Sequence, residues 1–127
     1  MGNDHETLLL AATVLIVDDH PGFRAAARRV LELEGYVVVG QAADGMTALH
    51  AARELRPEVV LLDVQLPDID GFEVCQRLSG DSHMPAVVLT SSREASDYGP
   101  CLDRTAACGF LPKAELSAAG IADILPA

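Results

Sequence analysis

Five apolar, mostly β-branched runs recur along the chain: Thr13 to Val17, Tyr36 to Val39, Val59 to Leu62, Ala86 to Leu89 and Gly109 to Leu111. Runs such as Val59-Val60-Leu61-Leu62 lack polar alternation, so they read as strands buried on both faces, the habit of parallel sheets covered by helices. Segments of helical period separate them. Phe23, Ala27, Val30 and Leu31 form an apolar stripe, Arg24, Arg28 and Glu32 are expected to face away from it, and Pro21 stands where a first turn tolerates it. Gly35 is placed to end that helix. Ala48, Leu49, Ala52 and Leu55 repeat the pattern up to Pro57, and Asp70 is suited to cap a third helix carrying Val74, Cys75 and Leu78 before Gly80 and Asp81 break it. Alternating strands and helices with short loops predict right-handed crossovers and a parallel sheet with helices on both faces.

The C-terminal third is less regular. Ser91 to Ser96 is polar and predicts a long loop, and Gly99-Pro100 can only open a helix, expected to run from Pro100 to about Ala107. Gly120 weakens the fifth helix by about 1 kcal/mol relative to Ala. Pro112 removes a ladder donor from the last strand, which predicts an edge position.

The runs end on chemistry. Asp18-Asp19 follows the first, Asp63 the third, Thr90 the fourth and Lys113 comes two residues after the fifth. In an open α/β sheet these ends face the crevice where ligands bind. Three carboxylates crowded there repel one another and resist desolvation unless a cation neutralises them. Asp18, Asp19 and Asp63 therefore read as a cation-dependent site beside a hydroxyl and an ammonium.

Composition narrows the function. At 127 residues, half of them apolar, the chain fits one domain with one core and leaves no room for a second. A net charge of −10 argues against direct nucleic-acid binding. Cys75, Cys101 and Cys108 show no C-x-x-C spacing, so they are expected to be buried small hydrophobes in a reducing compartment rather than zinc ligands or a disulfide framework. Leu8 to Ala12 is too short for a signal core or membrane span, which points to a cytoplasmic location without membrane attachment. His5, His20, His50 and His83 lack ligand spacing, although His20 falls beside the acidic pair. Asp68 reads as a turn residue.

Taken together, Val14-Leu15-Ile16-Val17-Asp18-Asp19-His20-Pro21, Leu61-Leu62-Asp63 through Asp70-Gly71, Leu89-Thr90-Ser91 and Gly109-Phe110-Leu111-Pro112-Lys113 closely resemble the receiver domain of two-component response regulators. The resemblance covers roughly residues 13 to 125. His20-Pro21-Gly22-Phe23-Arg24 is similar to the NarL/FixJ subfamily. It implies a flavodoxin-like, doubly wound five-stranded parallel sheet in the order 2-1-3-4-5, with residues 1–12 a partly disordered extension. It also raises the expectation that the chain is a receiver whose helix-turn-helix output domain is absent.

The resemblance further implies that Asp63 accepts a phosphoryl group from a histidine kinase. Magnesium is the implied cofactor, held directly by Asp19, Asp63 and the backbone carbonyl of Gln65, and through water by Asp18. Thr90 and Lys113 are then expected to bond phosphoryl oxygens. Phe110 matches an aromatic switch position coupled to Thr90, which implies a signal passed to the face of the fourth helix, fifth strand and fifth helix, with phosphorylation-dependent homodimerisation as one outcome. Gln65 and Ser92 occupy positions where the family tunes acyl-phosphate hydrolysis. Self-phosphorylation and slow autodephosphorylation are implied, without enzymatic turnover. The family often places Pro after its Lys with a cis peptide, whereas Ala114 follows here, leaving that loop geometry open. Two other readings compete. A phosphatase working through an aspartyl intermediate is disfavoured because Gln65 stands where a second Asp is expected, and a phosphorylation-independent docking module would keep the fold with a vestigial pocket.

Overall fold

The computed structural model describes residues 12–125, so the expected extension over residues 1–12 lies, but for its last residue, outside the described residues. Five parallel strands form one sheet: β1 (Thr13–Val17), β2 (Val37–Ala42), β3 (Val59–Asp63), β4 (Ala86–Ser91) and β5 (Gly109–Pro112), in the order β2-β1-β3-β4-β5. Five helices connect or follow them: α1 (Pro21–Leu33), α2 (Gly45–Leu55), α3 (Gly71–Ser79), α4 (Pro100–Arg104) and α5 (Ala118–Ile124). This is the predicted doubly wound, flavodoxin-like architecture, with Pro112 on an edge strand as expected.

Absence of alternation in the strands has its cause in two separate cores. Leu15, Val17, Val60, Leu62, Val87 and Leu89 point to one face, where Ala48, Leu49 and Ala52 of α2 and Val74, Cys75 and Leu78 of α3 cover them. Val14, Ile16, Val59, Leu61 and Val88 point to the other, beneath Ala27 and Leu31 of α1 and Ile121 of α5. Burying both faces makes β1, β3 and β4 the rigid centre, and each buried Leu or Ile contributes about 1.5–3 kcal/mol.

Helix ends follow local chemistry. Pro21 opens α1 and Gly35, with φ +92°, turns the chain after it. Asp44 caps α2 by accepting from the Thr47 N–H at 2.7 Å, and Asp70 caps α3 through the Glu73 N–H at 2.8 Å. Gly71 opens α3 where only a hydrogen fits. A Cβ there would stand 2.5 Å from the Asp63 carbonyl oxygen and 2.9 Å from Val64 Cα, backbone atoms that cannot swing aside. Its N–H donates to the Val64 carbonyl at 2.7 Å, so α3 is docked directly on the turn after Asp63.

Several sequence expectations change. β2 starts at Val37 and continues past Val39 to Ala42, because a register shift against β1 between Val14 and Leu15 absorbs one residue and pairing then resumes at Gly40. β4 continues through Thr90 and Ser91, each paired in register with a neighbouring strand. The expected long loop contains a 3₁₀ turn, Ala95–Asp97, closed by reciprocal Glu94 and Asp97 caps. α4 stops at Arg104 rather than near Ala107, since Thr105 is extended and its hydroxyl accepts from the Ala107 N–H. Of the three cysteines expected to be buried, only Cys75 is; Cys101 and Cys108 are exposed on the short α4 and the loop after it. Among the described residues no helix is long and apolar enough to cross a membrane.

Gly71→Ala is expected to lower stability by about 1–3 kcal/mol through forced backbone displacement. Gly22→Ala, whose Cβ meets nothing within 4 Å, is expected to leave stability unchanged or raise it slightly. Urea unfolding of the two variants checks the contrast, and equal midpoints would show that the close approach at Gly71 carries no cost.

Candidate functional site

β1 and β3 run side by side with Val17 opposite Leu62, so Asp18 and Asp63 emerge together where both strands end. Both are almost fully buried, at 0% and 1% exposure. Asp19, one residue further, turns towards solvent with its side chain 38% exposed. Carboxylate oxygens of Asp18, Asp19 and Asp63 and an imidazole nitrogen of His20 all lie within 4.8 Å of one another. Lys113 closes the cluster from the end of β5: its Nζ is 2.6 Å from Asp18 Oδ2 and donates to Asp63 Oδ2 at 3.2 Å. The Asp18 contact pairs the charges closely but off the hydrogen-bond direction, so Oδ2 gains Coulomb attraction without a formed hydrogen bond. Every peptide bond among the described residues is trans, and the Lys113 ammonium reaches both carboxylates from that backbone.

Thr90 stands opposite Asp63 in the β3–β4 ladder. Its hydroxyl is buried and has no hydrogen-bond partner among the described residues, a cost of about 1–3 kcal/mol for a group left unsatisfied. Gln65 is exposed, and its N–H donates to Asp63 Oδ1 at 3.1 Å. Burial pushes the Asp63 carboxyl above its ordinary pKa; the Gln65 N–H opposes this, the Asp18 charge reinforces it and Lys113 opposes it again. For Lys113, burial works against the ammonium, but the Asp18 and Asp63 carboxylates outweigh it and raise its pKa. Three carboxylates against one ammonium leave the pocket short of positive charge. The donor set is hard oxygen with room for one imidazole, which fits a divalent cation such as magnesium.

Supporting contacts include several that sequence reasoning missed. His20 Nδ1 lies 3.0 Å from an oxygen of each of Asp18 and Asp19, at the rim, with its side chain 69% exposed. Arg24 was expected to face away from the core, but its Nη1 donates to the Asp18 carbonyl at 2.6 Å and its Nε to Gln41 Oε1 at 3.1 Å. A backbone oxygen at the strand end that has no other partner among the described residues draws the guanidinium inward. The Phe23 ring lies under the ammonium, with Lys113 Nζ 4.7 Å from its centroid. Asp68, read from sequence as a turn residue, accepts from the Gly45 and Met46 N–H groups at 2.8 and 2.9 Å and so ties the loop after β3 to the first turn of α2. Nothing local in sequence marks that contact, which spans more than 20 residues.

Phe110 is not at the carboxylates. It lies half-buried on the α2/α3 side of the sheet, with its ring centroid 5.7 Å from that of Tyr98, and Tyr98 in turn meets Phe72 edge-on at 5.6 Å. The Tyr98 hydroxyl is 2.6 Å from Ser91 Oγ, the residue after Thr90.

A doubly wound sheet whose central strands end in buried carboxylates, flanked by a hydroxyl and a lysine at the next two strand ends, defines an α/β domain with an acidic pocket at its strand ends. Residues 14–124 match the response regulator receiver domain, and the chain belongs to that family. It is 41% identical over 103 residues to the virulence-factor transcription regulator BvgA of Bordetella pertussis, covering 80% of this chain and 49% of that protein. It is 37% identical over 115 residues to the response regulator GacA of Pseudomonas viridiflava, covering 90% of this chain and 52% of that protein. The chain thus spans about half the length of the curated relatives it matches. Among solved structures, the receiver domain of the response regulator NarL from Mycobacterium tuberculosis superposes with a TM-score of 0.77 at 33% identity, covering 89% of this chain and 95% of that one.

The Gly45 and Met46 N–H groups hold the Asp68 carboxyl below its ordinary pKa. With the folded value depressed, its contribution is fully present above the unfolded pKa and disappears as pH falls through the folded one. Asp68→Ala is expected to speed amide exchange at Gly45 and Met46 at neutral pH, and the stability gap between variant and parent is expected to narrow as pH drops below the ordinary carboxylate range. Unchanged exchange at both amides would remove Asp68 from the support of α2.

Proposed function

We propose that this receiver domain takes a phosphoryl group on Asp63 from a histidine kinase and passes the change to an output that controls transcription. The observation that carries the reading is the buried Asp63 carboxylate held at 3.2 Å by Lys113, with the unpartnered Thr90 hydroxyl beside it in the ladder. A carboxylate is a weak nucleophile, so the site acts by placement and charge cancellation.

Asp19, Asp63 and the Gln65 carbonyl are assigned as direct magnesium ligands, with Asp18 reaching it through water. When bound, magnesium neutralises charge on the transferred phosphoryl group and on the acids around it. An Asp63 oxygen supplies the electron pair for the new O–P bond, while the bond from phosphorus to the kinase histidine, or to the acetate oxygen of acetyl phosphate, breaks and takes its electrons with the leaving group. Asp63 enters ionised and no proton is taken from it. Lys113 keeps its charge next to the newly formed phosphoryl group, and the Thr90 hydroxyl turns to donate to a phosphoryl oxygen, ending its orphaned state.

Signal transmission is assigned to the aromatic cluster. A shift at Thr90 displaces Ser91, whose hydroxyl is joined to Tyr98, and Tyr98 packs on Phe110, which turns inward in response. The face of α4, β5 and α5 is the surface so altered, and phosphorylation-dependent homodimerisation there is the proposed consequence. A cytoplasmic location and a DNA-binding output belong to the same reading, supported by relatives that are transcription regulators and in which the matched region makes up 49% of the length.

Acetyl phosphate with magnesium is expected to add the mass of one phosphoryl group to the protein, and Asp63→Asn is expected to abolish the gain. Intact-mass measurement decides, and a parent protein that gains nothing over a range of acetyl phosphate and magnesium concentrations would refute the assignment.

A further inference from the structure

Lys113 meets the two buried carboxylates with part of its ammonium, leaving one side for another neighbour. That neighbour is an aromatic face: Nζ lies 4.7 Å from the Phe23 ring centroid, inside the range of a cation–π interaction. The lysine side chain is only 15% exposed, so the ring shields the charge from water where such an interaction is strongest. Phe23 is itself held, because it is half-buried against the α1/α5 core and stands in the first turn of α1. The next residue, Arg24, ties the same turn to the Asp18 carbonyl at 2.6 Å and to Gln41 of β2. One helical turn therefore fixes both the lysine and the backbone of its acidic partner.

We infer that Phe23 is a positioning residue for phosphoryl transfer: its ring seats the Lys113 ammonium between Asp18 and Asp63, while Arg24 anchors the loop that carries the acidic pair. The alternative is that Phe23 only fills the core at the head of α1. The two differ in chemistry. Leu fills space without a π face, whereas Tyr keeps the face and can point its hydroxyl to water from this half-exposed position.

The inference rests on Asp63 as the phosphoacceptor for its rate readout, but the seating itself is read separately. In NMR spectra, the Lys113 ε-methylene protons are expected upfield of ordinary lysine in the parent and in Phe23→Tyr, through the ring current, and at ordinary positions in Phe23→Leu. With acetyl phosphate and magnesium, Phe23→Leu is expected to be phosphorylated about three- to ten-fold more slowly than the parent, and Phe23→Tyr to regain most of the rate. Urea midpoints of both variants separate this from unfolding, and in a destabilised Phe23→Leu the Tyr variant alone carries the comparison: an unshifted ε-methylene there overturns the seat. Identical ε-methylene positions in parent and Phe23→Leu overturn it too. A Phe23→Leu rate equal to the parent's, with the shifts as expected, overturns the role in transfer. If no protein is phosphorylated while the ring-current shift is present, the phosphoacceptor assignment and the role in transfer fail together, and the seat stands.

Discussion

Two carboxylates buried at adjacent strand ends, facing one ammonium, are the constraint around which the rest of the domain is arranged. Asp18 and Asp63 are pulled out of water because β1 and β3 are covered on both faces and run out of apolar residues at the same level of the sheet. Desolvating two such charges costs several kcal/mol each unless compensated. The Gln65 N–H on Asp63 and the Lys113 ammonium each compensate part of it, and a charge deficit remains. That deficit is the physical basis for expecting a divalent cation, and it is consistent with the proposed role of Asp63, whose carboxylate is not fully neutralised by the lysine.

Holding charges in this arrangement requires rigid surroundings, and the structure supplies them from several directions. Gly71 lets α3 sit against the backbone of Asp63, Arg24 and Phe23 bring the first turn of α1 onto Asp18 and Lys113, and Asp68 fastens the β3–α3 loop to α2. Each contact joins a loop bearing a site residue to a helix with its own core. The least regular part is the segment from Ser92 to Cys108, where a 3₁₀ turn and a five-residue helix replace a full crossover helix. It lies next to Thr90 and Ser91, so the side of the site that moves in the proposed switch is bordered by a 3₁₀ turn and a five-residue helix.

Much of this was legible in the chain because it depends on local pattern. Apolar runs marked all five strands, period marked the helices, and Asp70, Pro21 and Gly35 acted as their local chemistry predicts. Asp18, Asp19, Asp63 and Lys113 were legible for the same reason, since each follows an apolar run and parallel topology brings such ends together. What escaped depends on distant partners. Arg24 looked like a solvated charge on the polar side of α1, and only the open carbonyl of Asp18 explains its inward turn. Asp68 meets α2 across more than 20 residues, and Cys101 and Cys108 are exposed because α4 is too short to bury them. Phe110 is marked in sequence only by likeness to a family position; its packing on Tyr98, which in turn bonds Ser91, needs three dimensions.

A pocket short of positive charge binds a divalent cation. Thermal unfolding with and without magnesium measures that most directly, since a cation bound only by the folded state raises the midpoint. Magnesium at about ten times its Kd is predicted to raise the midpoint by roughly 4 to 8 °C, with potassium chloride of equal ionic strength giving no comparable rise. A midpoint indifferent to magnesium at any millimolar concentration would contradict the account.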